Sequence, residues 1–198
     1  MVTLNIATED ELSEAVASKL VAHIPGLELG RQFRRNGNGY LRSRLKPFSE
    51  IARRQPVLLL TDLDRAPCAV SLLANWLGGT QQPPGLFLRV VVRTIESWLL
   101  ADEEAAISLL GRQAFAGLPR DPESVADPKS LLLRLAARAP RDVRLDLCPA
   151  KGVPVRQGLA YNSRLSNFVR EIWDPERAAS RSESLRRALA RMRTLAST

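Results

Sequence analysis

Histidine occurs once in this chain, at His23, and cysteine twice, at Cys68 and Cys148. A single imidazole excludes catalytic schemes that need several. Two isolated thiols with no histidine beside them make neither a disulfide framework nor a zinc site. A reducing, cytoplasmic compartment is the expectation that follows. Lysine is nearly as scarce: Lys19, Lys46, Lys129 and Lys151 stand among 29 basic residues, and the rest are arginine. No apolar run approaches the ~20 residues of a membrane helix, so no membrane is expected as a partner. The opening segment has no basic stretch and meets acids at Glu9 and Asp10, which is not the pattern of a signal peptide.

What is present fits a globular protein. A length of 198 residues suits one domain with a small appendage, and 45% hydrophobic with 25% charged residues is ordinary for a packed chain. The net charge of +8 draws such a chain toward phosphate polyanions. An arginine bias in a chain rich in Ala and Leu also follows from base composition, so charge alone does not name a partner.

Strands are expected over Val2–Ala7, Leu27–Phe33, Val57–Thr61 and Leu86–Val92. Val57-Leu58-Leu59-Leu60 is a continuous apolar run, as in a parallel strand covered on both faces. Helices are expected from Thr8, as N-cap with Glu11 closing a capping box, to His23, and over 40–53, 67–77 and 96–110. Beyond Gly111 the pattern predicts helices over 129–138, 162–173 and 175–195, with Asp127-Pro128 as N-cap and first residue of one of them and 140–158 irregular. The fold class is therefore α/β, a mostly parallel Rossmann-like sheet flanked by helices, with a helical C-terminal part. Residues 1–110 form the core and 111–198 a helical extension packed on it as one compact unit.

Acids follow three of the strands: Glu9, the pair Asp62 and Asp64, and Glu96. In an open parallel sheet the carboxyl ends of the strands share one edge, and ligands bind there. Four carboxylates far apart in sequence are thus expected to converge. Such a cluster raises its own pKa values unless a cation is present, and an all-oxygen set suits Mg²⁺ or Mn²⁺. Each acid also has a plain structural reading. Glu9 fits the first turn of a helix, Asp62 a helix cap, Glu96 an ion pair with Arg93 or Arg65, and Asp102 a helix surface.

The order Thr8-Glu9-Asp10-Glu11-Leu12, then Leu60-Thr61-Asp62-Leu63-Asp64, resembles the TOPRIM domain of topoisomerases, primases and overcoming-lysogenization-defect (OLD) nucleases. That family places Gly after its Glu, where this chain has Asp10. A wider resemblance, over about residues 2 to 195, is to a bacterial family of small TOPRIM-like proteins. Its segments are similar to Thr61–Asp64, Arg93–Asp102, Asp127-Pro128-Lys129 and Gly158–Asn162. The resemblance implies metal-dependent hydrolysis of phosphodiesters in DNA or RNA, with Glu9, Asp62, Asp64 and Glu96 as metal ligands. Glu9 would serve as general base or second-metal ligand, and Lys129 would neutralise the phosphate. It also implies a phage-defence setting with an ATPase partner.

Basic residues around Gly37-Asn38-Gly39 are the candidates for gripping a phosphate backbone: Arg34, Arg35, Arg42 and Lys46, with Arg31 and Arg44 beside them. Tyr40, Trp76, Trp98 and Trp173 read as core aromatics, and Cys68 and His23 as packing or surface residues. The alternative to an enzyme is a non-catalytic TOPRIM-like module that binds nucleic acid or an ATPase. An Arg or Lys filling the acidic site would favour that module.

Overall fold

The computed structural model describes residues 1–34, 38–116, 120–150, 152 and 154–197. Four strands make one all-parallel sheet: β1 (Val2–Thr8), β2 (Leu27–Arg34), β3 (Val57–Asp62) and β4 (Leu86–Val91), in the order β2-β1-β3-β4. Period-2 alternation puts Leu4, Ile6, Leu58, Leu60, Phe87 and Val91 into one apolar cluster and Ala7, Val57, Leu59, Leu86 and Leu88 into another. The sheet is thus covered on both faces.

One face carries α1 (Glu11–His23), and the other carries α2 (Asn38–Ser43) and α3 (Leu45–Ala52). The expected helix over 40–53 is broken at Arg44, whose backbone leaves helical geometry at φ −102° and ψ 8°. Between β3 and β4 runs α4 (Ala69–Leu77). Its N-cap is Cys68, whose sulfur accepts the Ser71 N–H at 3.4 Å, so Asp62 does not cap this helix.

The single helix expected over 96–110 is two, α5 (Ile95–Ala101) and α6 (Glu103–Leu110). Asp102 stands in the break with its backbone extended, and it is fully buried rather than on a helix surface. Its carboxylate caps Ala105 N–H at 3.2 Å, accepts Asp174 N–H at 2.8 Å, and takes two bonds from the Arg177 guanidinium at 2.9 Å each. A buried carboxylate needs partners of this kind, and the helix yields to supply them.

The chain then continues through α7 (Arg112–Phe115), a 3₁₀ turn at Pro122–Ser124, α8 (Pro128–Ala136), α9 (Arg141–Leu147), α10 (Tyr161–Glu171), α11 (Pro175–Ala179) and α12 (Glu183–Ala196). Asp127 caps α8 through Ser130, as its spacing with Pro128 predicts. α9 lies in the stretch expected to be irregular, and the last predicted helix is divided by the Ser182 N-cap of α12. α10 packs on α1, α11 on α5, and α12 on β4. The larger apolar cluster runs without interruption from Leu4 and Leu20 to Trp173 and Met192.

Two local details shape the sheet. Between Leu4 and Ile6 the β1–β2 register shifts by one residue, and the buried Asn5 accepts the Arg31 N–H at 2.8 Å there. A Cβ at Gly30 would stand 2.6 Å from that same amide oxygen, so the bulge requires glycine. Among the described residues no helix is long and apolar enough to cross a membrane.

Candidate functional site

Strand order β2-β1-β3-β4 means the chain moves from β1 to one side, then returns to β1's other side at β3. The crevice beyond the carboxyl ends of β1 and β3 is therefore the topological switch point, where ligands bind in open α/β sheets. Glu9 and Asp62 flank it. Glu9 Oε1 accepts the Thr61 hydroxyl at 2.5 Å and the Asp62 N–H at 3.3 Å. The carboxylate that ends β1 is thereby docked on the end of β3.

The turn that follows β1 has no positive φ. Asp10, not Thr8, is the N-cap of α1, at φ −146°, and its side chain accepts the Ser13 N–H at 2.8 Å. Replacing the resembled family's glycine by Asp10 therefore leaves this turn unstrained. The two loops that follow β3 and β4 are different. Asp64 and Arg93 have φ of 50° and 31°, the only positive values at non-glycine positions among the described residues. Such positions cost roughly 1–3 kcal/mol each and concentrate at functional sites. Asp64 N–H donates to the Arg93 carbonyl at 2.9 Å, and Arg93 Nη1 donates to the carbonyls of Asp64 and Ala66 at 3.3 and 3.2 Å. Arg93 thus braces the β3–α4 loop instead of pairing with Glu96.

Glu96 opens α5 and is 4% exposed. Its two oxygens accept the Thr94 hydroxyl at 2.6 Å and the Tyr161 hydroxyl at 2.7 Å. Tyr161 is buried at the start of α10, and burial, followed by the Glu96 charge, pushes its phenol far above the usual range. It remains a donor. Lys129, the second residue of α8, holds its ammonium 4.8 Å from the centre of the Tyr161 ring. A Cβ on Gly158 would stand 2.2 Å from the Asp146 carbonyl, so only glycine admits the close pass that leads into Tyr161. Tyr161 is the residue that sequence reasoning missed as part of the site. The segment Gly158–Asn162 held the signal, but nothing in it pointed 65 positions back to Glu96.

Asp62 stands in the field of the other acids. Burial raises its pKa well above the usual carboxylate range, and Glu96, Glu9, Asp64 and Asp10 each add to the rise. Glu9 is raised as well, by burial first, against the lowering effect of its bonds from Thr61 and Asp62. The four acids therefore share one electrostatic neighbourhood at one sheet edge. Their donors are all oxygen, which suits Mg²⁺ or Mn²⁺ chemically. As the side chains stand, no group of three or more His, Cys, Asp or Glu among the described residues is arranged to hold a metal. Glu9 and Glu96 are engaged by hydroxyl donors instead.

No Arg or Lys among the described residues forms an ion pair with Glu9, Asp62 or Glu96. The basic candidates divide. Arg42 lines a cavity of about 270 Å³ together with Asp62, Asp64, Gly39, Leu72 and Trp76, and its Nη2 donates to Asn75 Oδ1 at 2.6 Å. Lys46 lines an adjoining cavity of about 510 Å³ that shares Arg42 and Trp76. Arg34 ends β2 and stands 3.5 Å from Glu14, outside both. Arg35 and Gly37 lie outside the described residues. Trp98 and Trp173 are core residues, at 0% and 1% exposure, but Trp76 is half-buried and lines both cavities.

Fold and site together define an α/β domain whose carboxyl edge, at the β1/β3 switch point, is lined by acids. Compared with protein-family models and with curated proteins, the chain matches none. It is similar to solved structures of the C-terminal region of the Xanthomonas campestris pv. campestris OLD protein. The structure phased with mercury shares 19% identity at a TM-score of 0.43, covering 96% of this chain and 97% of that one. The structure phased with iodine shares 19% at a TM-score of 0.45, covering 96% of each chain.

Proposed function

We propose that the chain is a TOPRIM-type hydrolase of nucleic-acid phosphodiester bonds, dependent on Mg²⁺ or Mn²⁺. The observation that supports this best is the docking of Glu9 onto the end of β3 at the switch point, with Asp62 and Asp64 facing a cavity that Arg42 also lines. In this reading Asp62, Asp64 and Glu96 hold the cation, which would supply Lewis-acid polarisation of a phosphoryl oxygen and an acidified water. Glu9, kept basic enough by burial, takes the proton of the attacking water. Tyr161 and Thr94 fix the orientation of Glu96, and Arg42 binds the phosphate next to the scissile bond. Lys129 faces the Tyr161 ring, from where it offsets negative charge gathering at this edge. The resemblance to small TOPRIM-like proteins extends the proposal to a cytoplasmic phage-defence effector with an ATPase partner.

A second reading is a non-catalytic module that binds nucleic acid or an ATPase through the same scaffold. It is favoured by the absence, among the described residues, of a carboxylate group already arranged around a metal position. Nuclease assays on plasmid, single-stranded DNA and total RNA with Mg²⁺ or Mn²⁺ separate the two. Cleavage by the parent, lost by at least roughly 100-fold in Asp62→Ala/Asp64→Ala, is the expected outcome. Equal cleavage by both proteins would discard these residues as the site.

A further inference from the structure

Two neighbouring cavities, one of them lined by Asp62 and Asp64, share Arg42 and Trp76 in their walls, and together they make a candidate groove. The smaller begins at Asp62 and Asp64, and the larger continues past Lys46, Arg53, Thr80 and Gln81, with Arg42 and Trp76 common to both. Its ionic character changes along its length, from carboxylates at the sheet edge to cations at α3. Arg53 stands 3.8 Å from Glu50, whereas no ion pair to Lys46 or Arg42 occurs among the described residues. At the junction stands the indole of Trp76, one side packed on the smaller apolar cluster and the rest lining the groove.

We infer that this groove holds a single-stranded polynucleotide, with a base stacked on Trp76 and the adjoining phosphates on Arg42 and Lys46. The inference rests on the phosphodiester reading above and names its substrate class. An aromatic platform flanked by cations is how single strands are held without sequence readout. A paired base hides its faces in the stack and cannot meet an indole half-buried against the smaller apolar cluster. Phosphates at the cations and a base at the indole also place the chain's continuation at Asp62 and Asp64, where hydrolysis is proposed.

Tryptophan fluorescence tests this directly. The chain has three tryptophans, and Trp98 and Trp173 are 0% and 1% exposed, so contact quenching reports on Trp76. Short oligothymidylate and oligouridylate are titrated against a duplex of equal length, with EDTA present so that no cleavage is needed. Either single strand should quench the emission, and the duplex should not. Anisotropy of a labelled single strand should then show binding weakened roughly 5- to 150-fold by Trp76→Ala and nearly retained by Trp76→Phe, which keeps a ring. Quenching by the duplex as strong as by the single strands, or an unchanged affinity in Trp76→Ala, would overturn the inference. Because the readout is binding without metal, its failure leaves the hydrolysis proposal standing. Absence of cleavage by the parent, or equal cleavage by parent and variant, in the assay above likewise leaves the strand site standing.

Discussion

At the scale of single residues, Asp62 concentrates the electrostatic cost of the site. Burial and the charges of Glu96, Glu9, Asp64 and Asp10 hold its carboxyl well above the usual range. A raised folded-state pKa means that the fold binds more protons than the unfolded chain between about pH 4 and that raised value, so stability is lost as pH rises through this window. Asp62→Asn removes the charge while keeping the shape. With metal chelated, the variant should melt at a higher temperature than the parent near about pH 8, and the gap should close toward about pH 4. Mg²⁺ should raise the parent's melting temperature and leave the variant's nearly unchanged. Thermal unfolding followed by circular dichroism checks both, and parallel pH curves for the two proteins would count against this account of Asp62. The acids of the site were legible because each follows a strand, and strand ends can be read from apolar runs such as Val57–Leu60. Tyr161, Thr94 and the exposure of Trp76 were not. Their roles depend on partners dozens of residues away, which no local pattern encodes.

At the scale of elements, the strands follow from alternation and continuity of apolar residues, and the structure keeps all four within a residue or so of their expected bounds. The helix breaks are another matter. Ala101-Asp102-Glu103-Glu104 reads as helix because its propensities are good and its charges resemble an exposed face. The chain breaks there because Asp102 turns inward to meet Arg177 and the Asp174 amide, a tertiary demand that outweighs propensity. This pair ties α5 and α6 to α11. Asp102 is fully buried while Arg177 is largely exposed, so Arg177→Ala should cost roughly 1–3 kcal/mol, read as a lower urea midpoint at unchanged m value. The double variant Asp102→Asn/Arg177→Met should recover much of the loss, since it leaves no uncompensated charge at the buried position. A double variant no better than Arg177→Ala would mean that the bonds to Ala105 and Asp174 matter more than the charge balance.

At the scale of the whole molecule, the helices after Gly111 share one apolar cluster with the sheet and α1. The face of the sheet opposite α2 and α3 is closed by α1 and α5 and then by α8 to α12. Leu132, Val143, Tyr161, Phe168, Trp173 and Leu189 are each 4% exposed or less within the same cluster as Leu20 and Trp98. These side chains cover apolar surface of the sheet, α1 and α5, so removing them returns that surface to water. Deletion of the chain after Gly111 also removes Tyr161 from Glu96 and Arg177 from Asp102, leaving Glu96 with Thr94 and Asp102 with the Ala105 N–H alone. The remaining fragment, although it contains the entire sheet and every acid of the site, should show no cooperative thermal transition and should bind a hydrophobic dye strongly. A sigmoidal melt with native-like near-ultraviolet dichroism from that fragment would instead make the sheet and its α1–α5 helices an independent domain. The acidic edge would then be free of the helices that now hold Glu96 in place.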